Sequence, residues 1–208
     1  MTKTPFRTLL ALSTAVLALS GCSSLKDGMG AMQEGMGAMK HRMMGDGPSA
    51  TARLDPTKGS STTGTVTFKQ HGKHVMVHAR ISGLKPFGEH GFHVHEKGDC
   101  SSGDGMGTGG HFNPTAKPHG PQDTDHHAGD MPSLKADASG SAEARFHLAG
   151  VTLGDGGPTD LSGKGLIVHV GPDDYKTQPT GNSGARIACG VIELTKSAAA
   201  APASQHKH

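Results

Sequence analysis

Residues 73–81, KHVMVHARI, alternate apolar with polar side chains. Successive side chains of a β-strand point to opposite faces, so this alternation predicts a strand. Further runs of the same kind lie on both sides of it. They are ATARLD (50–55), TGTVTFKQ (63–70), EHGFHVHE (89–96), SLKADA (133–138), EARFHLA (143–149), GLIVHV (165–170) and RIACGVIEL (186–194), with the weakest patterns at 50–55 and 133–138.

The predicted fold class is all-β. The eight runs are short, are separated by Gly, Pro and Asp, and leave no convincing helix between them. This pattern is typical of an antiparallel sandwich or barrel. Two connections, 97–132 and 171–185, are long for a compact domain, and loops of this length usually carry function. We therefore expect a domain over residues 50–195 with two functional loops.

The first residues have the composition of an export signal. A basic segment precedes the apolar run 9–19, which is too short to cross a bilayer, and LSGC (19–22) supplies small residues for cleavage. LSGC also resembles the lipobox of bacterial lipoproteins, where cleavage exposes a cysteine that carries lipid. We expect residues 1–21 to be a lipoprotein signal peptide and Cys22 to be lipidated. An ordinary secretory signal with an incidental cysteine is the alternative.

Charge and histidine content narrow the function classes. Cleavage removes Lys3 and Arg7 and makes the number of basic residues equal to the 18 acidic ones. Nucleic-acid binding depends on a basic surface, so no such partner is expected. The 15 histidines are the compositional outlier. Two of them, His206 and His208, lie in the tail 196–208, which has no periodicity and is expected to be disordered; they are adventitious metal ligands at most.

The chain contains three cysteines. With Cys22 assigned to lipid, Cys100 and Cys189 remain as candidates for a disulfide. Export supplies the oxidising compartment that such a bond needs. A disulfide that closes the long loop between these two cysteines stabilises the fold by on the order of 4 kcal/mol.

Residues 22–49 contain a Met- and Gly-rich repeat, GMGAMQE (28–34) followed by GMGAMKH (35–41). Its glycines oppose a stable helix, so we expect a flexible tether between lipid and domain. Two interpretations of its methionines stay open. Thioethers and His41 suit Cu(I), whereas a Met-rich stripe can also touch a membrane or merely space the domain.

GFHVHEKGDC (91–100) places His93 and His95 two residues apart on one predicted strand. Both imidazoles therefore point to the same side and can serve one ion. Such a pair alone is weak evidence, because two histidines on an exposed strand are often only solvated. The loop and strand that follow add His111, His119, His127, Asp130, His169 and Asp173.

The order of these residues is that of a known family. GFHVH, GGHFNP, HG, HxGD, VHVGPDD and TGNSGARIACGVI follow one another over residues 50–194. In these motifs the chain resembles copper/zinc superoxide dismutase, in particular its exported bacterial members. The resemblance implies an eight-stranded antiparallel Greek-key barrel with copper and zinc as cofactors. It implies copper bound by His93, His95, His111 and His169, and zinc bound by His111, His119, His127 and Asp130, with His111 as a bridging imidazolate.

The resemblance also assigns roles next to the metals. Asp173 would accept hydrogen bonds from His93 and His119 and so orient one copper and one zinc ligand; a turn residue in GPDD is the alternative. Lys176 is the nearest candidate for a lysine that steers the substrate.

Two catalytic residues are expected, His111 and Arg186. Arg186 precedes Cys189 by three residues, and its guanidinium would dock a small anion beside the copper. Cys100 would tie the loop after His95 to the strand that presents this arginine. A plain surface arginine is the alternative.

The function expected is dismutation of superoxide in the bacterial cell envelope, by a lipid-anchored protein facing the periplasm. The expected partners are superoxide, the membrane and a copper donor, and the protein is a monomer or a homodimer. One alternative is a non-catalytic metal buffer, which needs neither Arg186 nor a bridging His111. Another is a copper-only dismutase, which lacks zinc ligands. Interpreted as surface or packing residues are His71, His74, His78, His90, His126 and His147.

Overall fold

The computed structural model describes residues 47–195. The predicted signal peptide, Cys22, the methionine repeat with His41, and the tail lie outside the described residues and stay predictions. Within the described part, no helix has the length and apolarity needed to span a bilayer. Helical geometry there is limited to one 3-10 turn, Met106–Thr108.

Ten strands make up this part of the chain. They are β1 Ser49–Pro56, β2 Thr63–His71, β3 His74–Ser82, β4 Glu89–His90, β5 Phe92–His95, β6 Leu134–Lys135, β7 Ala142–Ala149, β8 Gly165–His169, β9 Arg186–Val191 and β10 Glu193–Thr195. Each of the eight predicted runs contains a strand, and the all-β prediction is confirmed.

Two predicted runs are each split into two strands. The first breaks at Gly91, where the backbone turns to exchange hydrogen bonds with Gly171 and His169. A Cβ on Gly91 would lie 2.4 Å from Oγ of Ser183, so only glycine fits this approach. The second breaks at Ile192, whose N–H donates to Lys164 O. Beyond it β10 pairs with β1 instead of continuing the β8–β9 ladder.

All strand pairs are antiparallel, and the main sheet has the order β5-β8-β9-β1-β2-β3-β7. From β3, near one edge, the chain crosses to β5 at the other edge, returns to β7 beside β3, and crosses again to β8. These crossings give the Greek-key arrangement. The sheet curls around one core, and β4 and β6 form a separate short pair.

The core is mainly aliphatic and follows the strand alternation. On β3, Val75, Val77, Ala79 and Ile81 are buried. Full burial of a large apolar side chain stabilises the fold by about 1.5–3 kcal/mol. The core therefore fixes the strands from which the functional side chains project.

Candidate metal centre

Strand β5 is buried on both faces. Phe92 and Val94 alternate with His93 and His95, and Phe92 and Val94 belong to the apolar core cluster. On this strand the alternation places two fully buried imidazoles on the face away from the core.

The loop 97–133 is docked against β5 by its backbone. Val94 N–H donates to Gly129 O at 2.9 Å, and Phe112 N–H donates to Val94 O at 2.8 Å. Isolated bridges also pair His93 with Asp130 and His95 with His111. Residues distant in sequence therefore reach the face of β5 that carries the histidines.

The first donor set comprises four buried histidines whose ligand nitrogens all lie within 4.8 Å of one another: His93, His95, His111 and His169. The nitrogens Nδ1 of His93 and Nε2 of the other three have no hydrogen-bond partner. Buried polar atoms are nearly always paired, so four unpaired nitrogens around one point indicate a cation-binding site.

Hydrogen bonds on the opposite side of these rings fix their tautomers. Nδ1 of His95 donates to Gly109 O at 2.9 Å, and Nδ1 of His169 donates to Gly184 O at 3.0 Å. A carbonyl oxygen only accepts, so each Nε2 carries a lone pair. Imidazole lone pairs suit copper, and this donor set fits it.

The second donor set adds a carboxylate and contains His111, His119, His127 and Asp130, again within 4.8 Å. The Nδ1 atoms of His111, His119 and His127 lie 2.8, 3.0 and 3.4 Å, respectively, from Oδ1 of Asp130. Nδ1 of His119 and Nδ1 of His127 lack hydrogen-bond geometry despite this proximity. Three nitrogens and one oxygen converging in this way fit a tetrahedral zinc site.

His111 belongs to both sets. Its Nδ1 lies against Asp130, and its Nε2 belongs to the first set. Its ring is stacked on that of His93, with centroids 4.0 Å apart. One ring therefore offers a nitrogen to each set, as a bridging imidazolate would.

Asp173 connects the two sets from behind. Nε2 of His93 donates to its Oδ2 at 2.7 Å, and Nε2 of His119 donates to its Oδ1 at 2.9 Å. All three side chains are buried, and these are the two contacts expected from the sequence. A Cβ on Gly181 (φ +67°) would lie 1.8 Å from Oδ1 of Asp173, so glycine is required there.

Two further residues hold His119 and were not identified from the sequence. Oε1 of Gln178 accepts from His119 N–H, and Nε2 of Gln178 donates to His119 O, both at 2.8 Å. The ring of Tyr175 lies parallel to that of His119, and its hydroxyl is hydrogen-bonded to Ser133. Both residues lie in the loop 171–185, which was flagged by its length, but no local pattern distinguishes them.

Burial and charge set the protonation of the donors. Burial lowers the pKa of His111 to about 4 despite its bond to Asp130, and burial together with the neighbouring His93 lowers the pKa of His169 to about 3. Burial also lowers the pKa of His95 well below its usual value. These rings are therefore neutral at pH 7, as metal ligands must be.

His119 behaves differently because two carboxylates face it. Burial would lower its pKa, but the adjacent carboxylate of Asp130 and the hydrogen bond to Asp173 outweigh burial and raise the pKa to about 9. Burial would raise the pKa of each carboxyl group, yet the hydrogen bonds from the histidines outweigh it and lower both. Both aspartates are therefore ionised at pH 7.

Arg186 lies beside the first set. In the β8–β9 ladder it is paired with His169. Its Nη1 donates to Gly105 O at 2.6 Å and to Oγ1 of Thr108 at 2.9 Å, and its Nη2 donates to Gly109 O at 2.7 Å. Three of the five N–H groups of the guanidinium are thus used in holding it, and two remain for an anion.

The predicted disulfide is confirmed. Cys100 and Cys189 are bonded, with Cα atoms 5.8 Å apart and a sequence separation of 89 residues. The bond ties the loop that contains Gly105 and Gly109 to β9, which presents Arg186. Gly109 O also accepts from His95, so the arginine and a donor of the first set share one carbonyl.

The remaining predicted residues lie outside the two sets. Lys176 is exposed, and its steering role stays a prediction. His126 is half-buried beside His127 and is hydrogen-bonded to Thr124 O. His90 is buried, and its Nδ1 donates to the backbone of His169, so it packs behind a donor.

Comparisons with known proteins agree with this geometry. Residues 62–192 match the sequence profile of the family described as copper/zinc superoxide dismutase (SODC). The chain is 40% identical over 147 residues to superoxide dismutase (Cu-Zn) 2 of Aquifex aeolicus (strain VF5), covering 69% of this chain and 85% of that protein. It is 40% identical over 134 residues to superoxide dismutase (Cu-Zn) 1 of the same organism, covering 62% and 79%.

A solved structure is also similar. The crystal structure of a SOD-like protein from Bacillus subtilis superposes with a TM-score of 0.62 at 35% identity, covering 68% of this chain and 96% of that one. Sequence and structure thus agree with the two donor sets. The chain belongs to the copper/zinc superoxide dismutase family, and is an oxidoreductase with copper and zinc as cofactors and superoxide as substrate.

Proposed function

We propose that this protein removes superoxide in the bacterial cell envelope, converting two superoxide anions and two protons into dioxygen and hydrogen peroxide. The observation that carries the proposal is the sharing of His111 between two buried four-donor sets. A metal store needs neither a shared ring nor an arginine held beside it.

The proposed ligands follow from the donor atoms. Copper would be held by Nδ1 of His93 and by Nε2 of His95, His111 and His169. Zinc would be held by His111, His119 and His127 through Nδ1 and by Asp130. The unpaired nitrogens of the first set and the convergence on Asp130 in the second support this assignment.

The metals and the side chains divide the chemistry. When bound, copper supplies the one-electron exchange with superoxide, and zinc supplies fixed positive charge. Nε2 of His111 takes up a proton in the first half of the cycle and gives it to the departing peroxide in the second. Asp130 holds the other nitrogen of the ring in place.

Arg186 docks the anion. Its guanidinium is fixed by three hydrogen bonds to the loop 97–133 and retains N–H groups for a substrate oxygen. A charge that is already oriented stabilises negative charge without reorganisation when the substrate arrives.

The proposed location rests on the N-terminal sequence and on the disulfide. The basic start, the apolar run 9–19 and LSGC (19–22) are typical of a lipoprotein signal, and the disulfide suits an oxidising compartment. Mass spectrometry of the mature N-terminus and membrane fractionation test it. We expect a lipidated Cys22 and membrane-bound protein, with Cys22→Ala released; unmodified, freely soluble wild-type protein would contradict this location.

Superoxide consumption by the purified protein loaded with both metals tests the function. We expect rapid, metal-dependent turnover. His111→Ala should bind both metals in separate sites and lose most of its activity. The histidine content and the methionine repeat favour a metal store as the second candidate, and stoichiometric loading without turnover would establish that role instead.

A further inference from the structure

The outer face of the sheet formed by β2, β3 and β7 carries a cluster of possible metal ligands far from the metal centre in the strand order. The strand register pairs His71 with His74, and Met76 with His147. Directly paired residues project from the same face, as do residues two apart on one strand. The four side chains therefore share one face of the sheet.

Two of the imidazole rings lie close together, and the methionine is adjacent to one of them in the register. The rings of His74 and His147 meet edge to face with centroids 6.4 Å apart. Met76 is paired directly with His147, and such pairs have Cβ atoms about 4.5–5.5 Å apart. All of these side chains are exposed, so convergence on one ion requires only rotation about their side-chain torsions.

Met76 is unusual on this face. Its side chain is 40% exposed, whereas the apolar residues beside it on β3, Val75 and Val77, are fully buried. It therefore adds little to the core, and in the ladders it is paired with His147 on β7 and with Lys69 on β2.

The three imidazoles are available for binding. Within residues 47–195, the rings of His71, His74 and His147 form no hydrogen bond or ion pair. By contrast, Nε2 of His78, the next outward residue on β3, is bonded to Glu143 at 2.7 Å. On β3, the side chains that are available as ligands are therefore His74 and Met76, and not His78.

We propose that His74, Met76 and His147 bind a Cu(I) ion on the surface of the domain, with His71 as a fourth donor at the end of the hairpin. Thioether sulfur is a soft ligand that favours Cu(I), and imidazole also binds copper well. The absence of a carboxylate from this donor set disfavours calcium, magnesium and manganese. Strands β3 and β7 contribute no donor to the metal centre, so this site is separate from it.

The chain joins the domain at the edge of this cluster. Gln70 N–H donates to Pro48 O at 2.9 Å, and His71 is the next residue. Met44 precedes Gly47 by three residues and ends the segment that contains the methionine repeat. A test must therefore separate the surface cluster from that segment.

The test uses the full chain with copper and zinc already in the metal centre. Methionine methyl groups are labelled with 13C, and one equivalent of Cu(I) is added without oxygen in the presence of ascorbate. We expect the Met76 methyl resonance, assigned from Met76→Leu, to shift and to saturate, and the resonance of exposed Met106 to stay unchanged. An unshifted Met76 resonance overturns the proposal.

Competition with a Cu(I) chelator measures the affinity. Met76→Leu, His74→Ala and His147→Ala should each weaken binding by more than about tenfold, because even an outer-sphere change weakens metal sites by about 10- to 100-fold. Met106→Leu and His126→Ala are the matched controls and should bind as the wild type does. Unchanged affinity in Met76→Leu overturns the proposal. The proposal is also overturned if deletion of residues 23–46 abolishes binding while a variant that carries Met76→Leu, His74→Ala and His147→Ala together still binds Cu(I).

Discussion

At the residue scale, each histidine of the first donor set except His111 donates one N–H to a protein acceptor and has its other nitrogen free to bind the metal. Nδ1 of His95 and of His169 donate to backbone carbonyls, whereas Nε2 of His93 donates to Asp173. The acceptor decides which nitrogen carries the proton and holds the plane of the ring. His111 is the exception, because its Nδ1, which is hydrogen-bonded to Asp130, also belongs to the second donor set, so the ring offers a nitrogen to each set.

Asp173→Asn tests the importance of this orientation. An asparagine oxygen can accept from one ring, but its amide group would face the N–H of the other. We expect the affinities for copper and zinc to fall by about 10- to 100-fold, with the fold preserved. Chelator competition measures the change, and Asp123→Asn, on the exposed part of the metal-binding loop, is the control. Equal affinities in the two variants would refute the orienting role.

The raised pKa of His119 predicts pH-dependent zinc binding. Because this pKa is about 9 in the metal-free protein, the ring is protonated at pH 7 and must lose a proton to bind zinc. Zinc affinity should therefore fall about tenfold for each pH unit below 9 from this group alone. Calorimetry at pH 7 in buffers of different ionisation enthalpy measures the release, and zinc binding without any proton release would contradict the assignment.

At the scale of elements, the loop 97–133 is attached to the sheet at two places. Backbone bonds to Val94 hold it on one side, and the disulfide through Cys100 holds it on the other. Gly109, between these attachments, accepts from both His95 and Arg186. The disulfide thus supports the position of the docking group as well as the stability of the fold.

Cys100→Ser should reduce both properties. In the chain-entropy model, losing a cross-link of this length costs on the order of 4 kcal/mol of unfolding free energy. Turnover should also fall, because Arg186 loses its fixed loop, whereas copper content at saturation should not change. Denaturant unfolding and initial rates measure the two effects against the oxidised wild type, and the reduced wild type should behave as the variant does. Full stability and full rate in the variant would show that the backbone contacts suffice.

At the scale of the whole molecule, the metal centre belongs to one part of the sheet. The donors come from β5, β8 and the loop 97–133, whereas β1, β2, β3 and β7 contribute none. Those four strands form a continuous antiparallel ladder with an apolar inner face. The barrel can therefore hold its shape when the loops do not.

The sequence predicted the strands and the donors of the metal centre, and the contacts that it did not predict were missed for physical reasons. Alternation located the strands, and the resemblance of the motifs to a known family located the donors. The clamp of Gln178 on His119 joins residues distant in sequence, and no periodicity reports such a contact. Likewise His147 was interpreted as a surface or packing residue, because its proximity to Met76 depends on the register between β3 and β7.

After removal of both metals, the loops should open at a lower free-energy cost than the ladder of β1, β2, β3 and β7. The N–H groups of Gly120 and His127 donate to Oδ2 of Asp130, whose Oδ1 belongs to the zinc set. Zinc at about 1,000 times its Kd stabilises the state that binds it by about 4 kcal/mol, and this contribution opposes loop opening while zinc is bound.

Native-state hydrogen exchange measures this difference. In the metal-loaded protein we expect the amides of Gly120 and His127 to be about as protected as those of β3. In the metal-free protein they should exchange through local opening, more than about tenfold faster than the β3 amides. Zinc alone should restore their protection, because Asp130 lies in the zinc set. Equal protection of loop and ladder after metal removal would mean that the barrel, and not the metal, holds the loops closed.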